Sequence, residues 1–458
     1  MPPHRQRAER FSYGGYIIDP TVGEVRCTYS TDGHSFEERY VFGTGGDWGD
    51  PAVDAAVRIL FLLAGVSYYK ATAARVVDLG TTPTSTHERA FLTRYYREGL
   101  GEFAFRNELD LSDLLIVGPD AAPDTGPGSA PGSRPLYVPD PGRPLIPFGG
   151  GIDSIVTVAG LAPGTDAALC IVHPPDDRFA AIEGAASVTG LPIVHIEREI
   201  DPLIRRSNEL GFFNGHVPIT AVITAAALVA AVRDRRDAVV LSNEWSASAP
   251  TLVHEGRPVN HQWSKSIDFE EDFADLAASC LGPELSVFSY LRSRSELWVA
   301  RQFARLTEYH GVFRSCNRSF HQDPAQRLER WCGVCDKCCF IDLILSPYMS
   351  ATELGLIFDG NEPLDNPALQ GRFVTLLGLA PDAKPFECVG DVEECRAALL
   401  LAADRPDRRG TTTLDSLRAR VRATAGSSGP GGAGLLTPRG DHHIPERYAP
   451  TDLLVRAH

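Results

Sequence analysis

The sequence predicts an α/β protein: a doubly wound, mainly parallel sheet, with a smaller N-terminal α+β domain and a C-terminal helical extension that carries a cysteine cluster. Three observations predict it. Four short apolar runs, Leu145 to Phe148, Ala167 to Val172, Pro192 to Ile196 and Ala238 to Ser242, alternate with helical patterns, the cadence of parallel strands joined by crossover helices. Ahead of them, Phe11 to Phe42 alternates like a hairpin, and helical patterns follow from Pro51 to about Val77 and from His87 to about Arg97. Behind them lies a group of closely spaced cysteines in helical surroundings.

Composition sets the boundaries and removes several classes of function. Residues 119–143 fall in a stretch dense in Pro, Gly, Asp and Ser (GPDAAPDTGPGSAPGSRP), and AGSSGPGGAG from Ala425 to Gly434 is a second such break; neither can build a core. They divide the chain into an N-terminal domain (1–118), a linker (119–143), a nucleotide-binding α/β domain (144–310), a cysteine-cluster and helical region (311–424), and a flexible linker and tail (425–458) containing DHHIPERY. With 59 acidic and 44 basic residues the formal charge is −15, so no nucleic-acid partner is expected. The longest apolar stretch, Val217 to Val232, carries Pro218 and is short for a bilayer span; it reads as a buried helix, and no membrane partner is expected. Met1 to Phe11 is polar and Arg-rich, without the apolar core of a secretory signal, which places the chain in the cytoplasm. There the ten cysteines read as thiols or metal ligands. Among 44 basic residues only Lys70, Lys265, Lys337 and Lys384 are lysines, which singles each of them out.

The strongest motif follows the first strand of the sheet. Leu145 to Phe148 runs into Gly149, Gly150, Gly151, Ile152, Asp153 and Ser154, where a helical pattern begins. Strand, glycine turn and helix start bind phosphate, because glycine lets the backbone approach closely and the free N–H groups attract an anion. Ser154 adds a hydroxyl, and Asp153 is expected to hold magnesium against the phosphates. A capped tight turn is the plainer reading of the same letters. Neither a Walker loop nor G-x-G-x-x-G occurs, so a Walker ATPase and a Rossmann dehydrogenase are disfavoured.

Cys316, Cys332, Cys335 and Cys338 form C-x15-C-x2-C-x2-C, which suits a closed, structural tetrahedral zinc site. A ferredoxin-type run would need a cysteine where Asp342 stands. Four metal-free packed thiols are the alternative, and Cys339 is spare.

The loop resembles the pyrophosphate loop S-G-G-x-D-S of the PP-loop ATP pyrophosphatase superfamily, with Gly149 in place of the usual Ser, which removes one hydroxyl from the phosphate cradle. Members cleave ATP between the α and β phosphates and adenylate a substrate oxygen. Longer strings, FGGGIDSIVTV, GHVPIT, LSNEWSAS, VNHQWSKS, SCNRSF and RWCGVCDKCCFIDL, resemble the MurL family over about Tyr68 to Tyr348. That resemblance implies ATP- and Mg2+-dependent epimerisation of the terminal glutamate of UDP-N-acetylmuramoyl-L-alanyl-L-glutamate, with release of AMP and pyrophosphate. Zn2+ is the expected structural metal.

Epimerisation needs, besides the base that takes the α-proton, a second acid or a base that moves. His216 precedes the apolar helix, Glu244 follows a strand, and His261 and Lys265 share a polar loop with Trp263. Lys265 is favoured for α-phosphate charge, and His216, Glu244 or His261 for proton transfer. His173, at the end of the second strand, is placed to approach the adenine. Two other readings remain open on the sequence: another adenylating enzyme on the same loop, an amide synthase or a nitrile synthase of the 7-cyano-7-deazaguanine type, and a non-catalytic nucleotide- or zinc-binding protein.

Overall fold

The computed structural model describes residues 6–121, 136–321, 323–380, 387, 389–424 and 434–450. Most of the 119–143 linker and nearly all of the 425–434 break lie outside the described residues.

The first three strands, β1 (Arg10–Asp19), β2 (Glu24–Thr31) and β3 (His34–Val41), form an antiparallel meander. The helix Pro51–Ala64 follows, started by Asp50, whose carboxylate accepts the Ala52 N–H at 2.8 Å. A short turn of helix continues to Tyr69 and stops there, although the apolar pattern predicts helix to about Val77. Ala73 takes a left-handed φ of 46°, and Val76–Asp78 is instead strand β4, parallel to β1. Pro51–Tyr69 is long and apolar enough to cross a bilayer by length and composition, and it is buried inside the protein. The helix Thr86–Gly99 starts with a reciprocal Ser85–Glu88 capping box, and β5 (Leu115–Val117) closes this edge of the sheet.

The predicted alternation then appears as β6 (Asp140–Pro147), β7 (Ala168–His173), β8 (Ile193–Glu199) and β9 (Arg236–Leu241), all parallel, with the apolar helix Ile219–Arg233 before β9. A small separate hairpin, β10 (Leu252–His254) and β11 (Arg257–Val259), precedes β12 (Ser286–Ser289), which pairs parallel to β9. The sheet order is β12-β9-β6-β7-β8-β3-β2-β1-β4-β5. From β6 the chain moves outward through β7 and β8, then returns to the other side of β6 for β9 and β12. The carboxyl end of β6 is therefore the switch point of the sheet, where an open α/β sheet leaves a crevice for ligands.

Both faces are buried, which is why the strands read as continuous apolar runs. Leu145, Ala168, Cys170, Val239 and Val287 face one core with the helices Pro51–Ala64, Ile219–Arg233 and Ile267–Leu281. Ile146, Leu169, Ile171, Val240 and Phe288 face a second core with Ile152–Leu161, Glu296–Phe303 and the C-terminal helices Asp336–Leu345, Val392–Ala403 and Thr412–Thr424.

The N-terminal strands are not a layer apart from this sheet. β3 pairs antiparallel with β8 through Arg39–Glu199, Tyr40–Arg198 and Val41–Glu197, so one sheet runs through both regions. A buried ion pair fastens the seam: Arg198 Nε donates to Glu38 Oε1 at 2.6 Å, Tyr40 donates its hydroxyl to the same oxygen at 2.6 Å, and Glu38 is fully buried. The tail is packed as well where it is described. Tyr448 donates to Asp237 Oδ1 at 2.7 Å, and Arg439 stacks over Trp245 at 4.2 Å.

Removing Glu38 strands the Arg198 charge against a fully buried position. Glu38→Ala is expected to destabilise the fold by about 3 kcal/mol, read from the shift in the urea midpoint relative to the unchanged chain.

Candidate active site

The glycine loop sits at the switch point between β6 and the helix Ile152–Leu161. Gly150 has a φ of 73°, and a Cβ there would meet the Ala181 carbonyl oxygen at 3.0 Å. Gly151 is the N-cap and supplies no side-chain acceptor, so no side chain caps the first turn. That removes the capped-turn reading of these letters and leaves backbone N–H groups to meet an anion. Gly149 has nothing within 4 Å of an ideal Cβ, so the departure from Ser is not imposed by packing. Ser154 is turned back on its own helix, donating to the Gly151 carbonyl at 3.0 Å, and the Ile152 side chain is buried in the core. A cavity of about 300 Å3 lies beside Gly150, lined by Ala181, Gly184, Val312, Arg314 and Arg327.

Asp153 is brought together with Glu244 and with Glu296, which the sequence reading missed. One carboxylate oxygen of each lies within 4.8 Å of the others. Glu244 follows β9, and Glu296 opens the helix after β12, so the trio draws on the carboxyl ends of three adjacent strands. Glu296 is 4 % exposed, and its Oε2 has no hydrogen-bond partner among the described residues. Burial, then the charges of Asp153 and Glu244, push its pKa well above the carboxylate range, while Lys337 pulls the other way. Three carboxylates held this close could hold a hard divalent cation, which takes oxygen ligands.

The other candidates assemble a second group. His216 and His261 lie with ring centroids 4.3 Å apart, and the Nδ1 of His261 meets Glu102 Oε2. Glu102, on the short helix Gly101–Arg106, was also missed: it lies in the N-terminal region, and nothing in the sequence pairs it with a loop 159 residues away. Burial and the facing His261 lower the His216 pKa to about 4, with Lys265 and Lys70 adding to the effect and Glu102 opposing it. His216 is therefore a neutral imidazole near pH 7. Lys70 donates to Asn214 Oδ1 at 3.0 Å, and burial followed by the Arg198 charge lowers its pKa to about 8.

One buried guanidinium ties the two groups together. Arg292 Nη1 donates to the Glu244 carbonyl at 3.1 Å, and Nη2 donates to the Lys265 carbonyl at 2.8 Å and to Glu270 Oε2 at 2.7 Å. His173 stands elsewhere, at the end of β7, with Nδ1 2.7 Å from the Pro174 carbonyl and its ring 5.3 Å from that of His195.

The four cysteines converge as their spacing implies. The sulfurs of Cys316, Cys332, Cys335 and Cys338 lie within 4.8 Å of one another, with Cys335 to Cys338 at 3.4 Å and Cys332 to Cys338 at 3.6 Å. None is in a disulfide, and the Cys332 and Cys338 amides point at sulfur, each at 3.4 Å. A zinc ion with Zn–S bonds of about 2.3 Å fits between sulfurs so placed. Lys337, inside this group, is the cation that acts on Glu296, so the cysteine turn also carries a charge toward the acidic trio.

The loop geometry separates two glycines of the same motif. Gly150→Ala is expected to cost about 1–2 kcal/mol from its left-handed backbone, whereas Gly149→Ser should stay within about 0.5 kcal/mol of the unchanged protein, as compared by chemical denaturation.

Comparison with known proteins agrees with the sequence strings and extends them. Residues 3–290 match the family model of the MurL N-terminal domain, and residues 312–429 match that of the MurL C-terminal domain. Proteins named UDP-N-acetyl-alpha-D-muramoyl-L-alanyl-L-glutamate epimerase are similar over nearly the whole chain, beyond the Tyr68 to Tyr348 span of the strings. The protein from Micromonospora sp. is 37% identical over 453 residues, covering 97% of this chain and 98% of its own. The one from Xanthomonas oryzae pv. oryzae is 36% identical over 448 residues, 96% of each. The one from Salinispora tropica is 34% identical over 453 residues, 97% of this chain and 95% of its own. No solved structure matches the chain significantly. Two family models spanning most of the residues, and relatives this similar from end to end, lead to one conclusion: the chain belongs to the MurL family.

Proposed function

We propose that the chain is a cytoplasmic isomerase of peptidoglycan precursor synthesis that inverts the terminal L-glutamate of UDP-N-acetylmuramoyl-L-alanyl-L-glutamate, using ATP and magnesium and releasing AMP and pyrophosphate. The substrate follows from the names of its relatives. The observation that supports the nucleotide chemistry is the pairing, at the switch point of the sheet, of an uncapped glycine loop with the Asp153, Glu244 and Glu296 carboxylates. On this reading the α/β sheet is a pyrophosphate-loop fold.

The need for ATP follows from charge. Taking the α-proton next to an ionised carboxylate would put a second negative charge on the same group; bound ATP supplies the adenylyl group that removes the first. The backbone amides from Gly149 to Ser154 receive the phosphates, and Asp153, Glu244 and Glu296 would hold magnesium against them. Lys265 is assigned to α-phosphate charge and His173 to the adenine. His216 and His261 are assigned to proton transfer. Glu244, considered from the sequence as a base, is assigned instead to the cation because it shares the carboxylate trio. Cys316, Cys332, Cys335 and Cys338 would hold a structural zinc, whose four protein ligands leave no open position for substrate.

The decisive assay supplies the muramoyl dipeptide with ATP and magnesium and follows AMP, product mass and the chirality of the glutamate. Inversion at unchanged mass is expected; an amide or nitrile product would overturn the reading. In heavy water, deuterium should enter at Cα only when ATP and magnesium are both present, and Asp153→Ala should abolish AMP formation and deuterium entry together. Exchange without ATP would show that the proton leaves from the free carboxylate.

Metal analysis of the purified chain is expected to give about one zinc per molecule. Cys335→Ser should lower both zinc content and thermal stability, because a structural site is coupled to folding. Protein free of zinc with four readily alkylated thiols would remove the zinc assignment.

A further inference from the structure

We infer that Glu102, His261 and His216 form a single proton-transfer station serving one face of the substrate α-carbon, with Glu102 as its positioning residue, and that a group outside this trio serves the opposite face. The inference rests on the epimerisation proposed above and specifies how its protons move.

The three residues come from separate parts of the chain, and hydrogen bonds hold Glu102 and His261 in place. Glu102 has a side chain 5 % exposed; its Oε2 takes the Nδ1 proton of His261, and its Oε1 accepts from Arg106 Nε at 2.5 Å. With Nδ1 engaged, Nε2 is the basic nitrogen of His261, and the carboxylate behind the ring stabilises the imidazolium that forms when it takes a proton. The His261 amide is fixed as well, donating to Thr251 Oγ1 at 3.2 Å. His216 lies against this ring, and the charged groups facing the pair are Glu102, Arg106, Lys265 and Lys70.

Geometry decides how many faces the pair can serve. Two bases on opposite sides of one carbon each stand about 3 Å from it, so about 6 Å separates them with the carbon between. Ring centroids 4.3 Å apart, at an interplanar angle of 43°, are in contact, and no α-carbon fits between them. The two imidazoles therefore stand on one side of the substrate. The same three residues also have the spacing of a His2Glu metal site, but Glu102 Oε2 and His261 Nδ1 are hydrogen-bonded to each other, and Arg106, Lys265 and Lys70 add positive charge around them.

The step balances within the activated substrate. The Cα–H bond breaks, its proton goes to His261 Nε2, and the electron pair moves onto the adjoining acyl group. A proton from the opposite face then forms the new Cα–H bond, and His261 returns its proton to solvent past His216. In the reverse direction the same station supplies the proton.

The test uses the full chain with ATP and magnesium in heavy water, offering the L-glutamyl and the D-glutamyl dipeptide separately. The unchanged protein should place deuterium at Cα of both. His261→Asn, His216→Asn and Glu102→Gln should each slow deuterium entry into one isomer by about 100-fold, the same isomer in all three, while the other isomer, deprotonated from the far face, still exchanges and shows that each variant is folded. If the two His variants silence opposite isomers, the imidazoles flank the carbon and the inference falls. It falls equally if Glu102→Gln exchanges both isomers at the unchanged rate, if any variant with a native circular dichroism spectrum loses both exchanges alike, or if a stoichiometric metal disappears with Glu102→Gln. An unchanged protein that neither exchanges nor inverts the glutamate overturns the epimerisation itself, and this arrangement with it.

Discussion

Arg292 is the constraint on which the site depends. It is 1 % exposed, so its charge survives only because Glu270, itself 1 % exposed, pairs with it and because Ser289 Oγ and two backbone carbonyls accept its remaining protons. Those carbonyls belong to Glu244 and Lys265. One guanidinium thus joins the end of β12, where it originates, to the end of β9 and to the turn that carries Lys265. A planar fork of five donors can hold three segments at once in fixed relation; a lysine at this position could not.

Two electrostatic environments, opposite in sign, are set up on either side of that arginine. On the glycine-loop side Asp153, Glu244 and Glu296 bring three carboxyl groups together, and burial with the charges of the other two raises the Glu296 pKa. On the other side burial, and after it the facing His261, lower the His216 pKa, with Lys265 and Lys70 adding to the effect and Glu102 opposing it.

The C-terminal region joins this arrangement through packing. The cysteine turn starts the helix Asp336–Leu345, Cys335 accepts the Cys338 N–H at its N-terminus, and Lys337 between them acts on Glu296. The cysteine turn therefore lies close enough to the acid cluster for its lysine to act on Glu296. The tail joins the same neighbourhood: Arg439 stacks over Trp245, the residue after Glu244, and its amide donates to the Ser293 carbonyl at 2.9 Å.

Where the signal is local, the sequence by itself determined the outcome. The runs around Leu145, Ala167, Pro192 and Ala238 became β6 to β9 because strands buried on both faces must be apolar at successive positions. The glycine loop and the cysteine spacing were legible because each packs its chemistry into a few consecutive residues. Tertiary structure alone decided the rest. The pattern of Pro51 to Val77 reads as one helix, yet Ala73 turns left-handed and Val76 pairs with Arg10 in a strand, a choice made by a partner 66 residues away. The joining of β3 to β8 is invisible in composition, since a sheet edge can pair with any strand that reaches it. Glu296 and Glu102 look like ordinary surface carboxylates in the chain. They join these clusters only because β12 lies beside β9 and the helix Gly101–Arg106 packs against the His261 loop, and burial makes the neighbours of each carboxyl group decide its protonation.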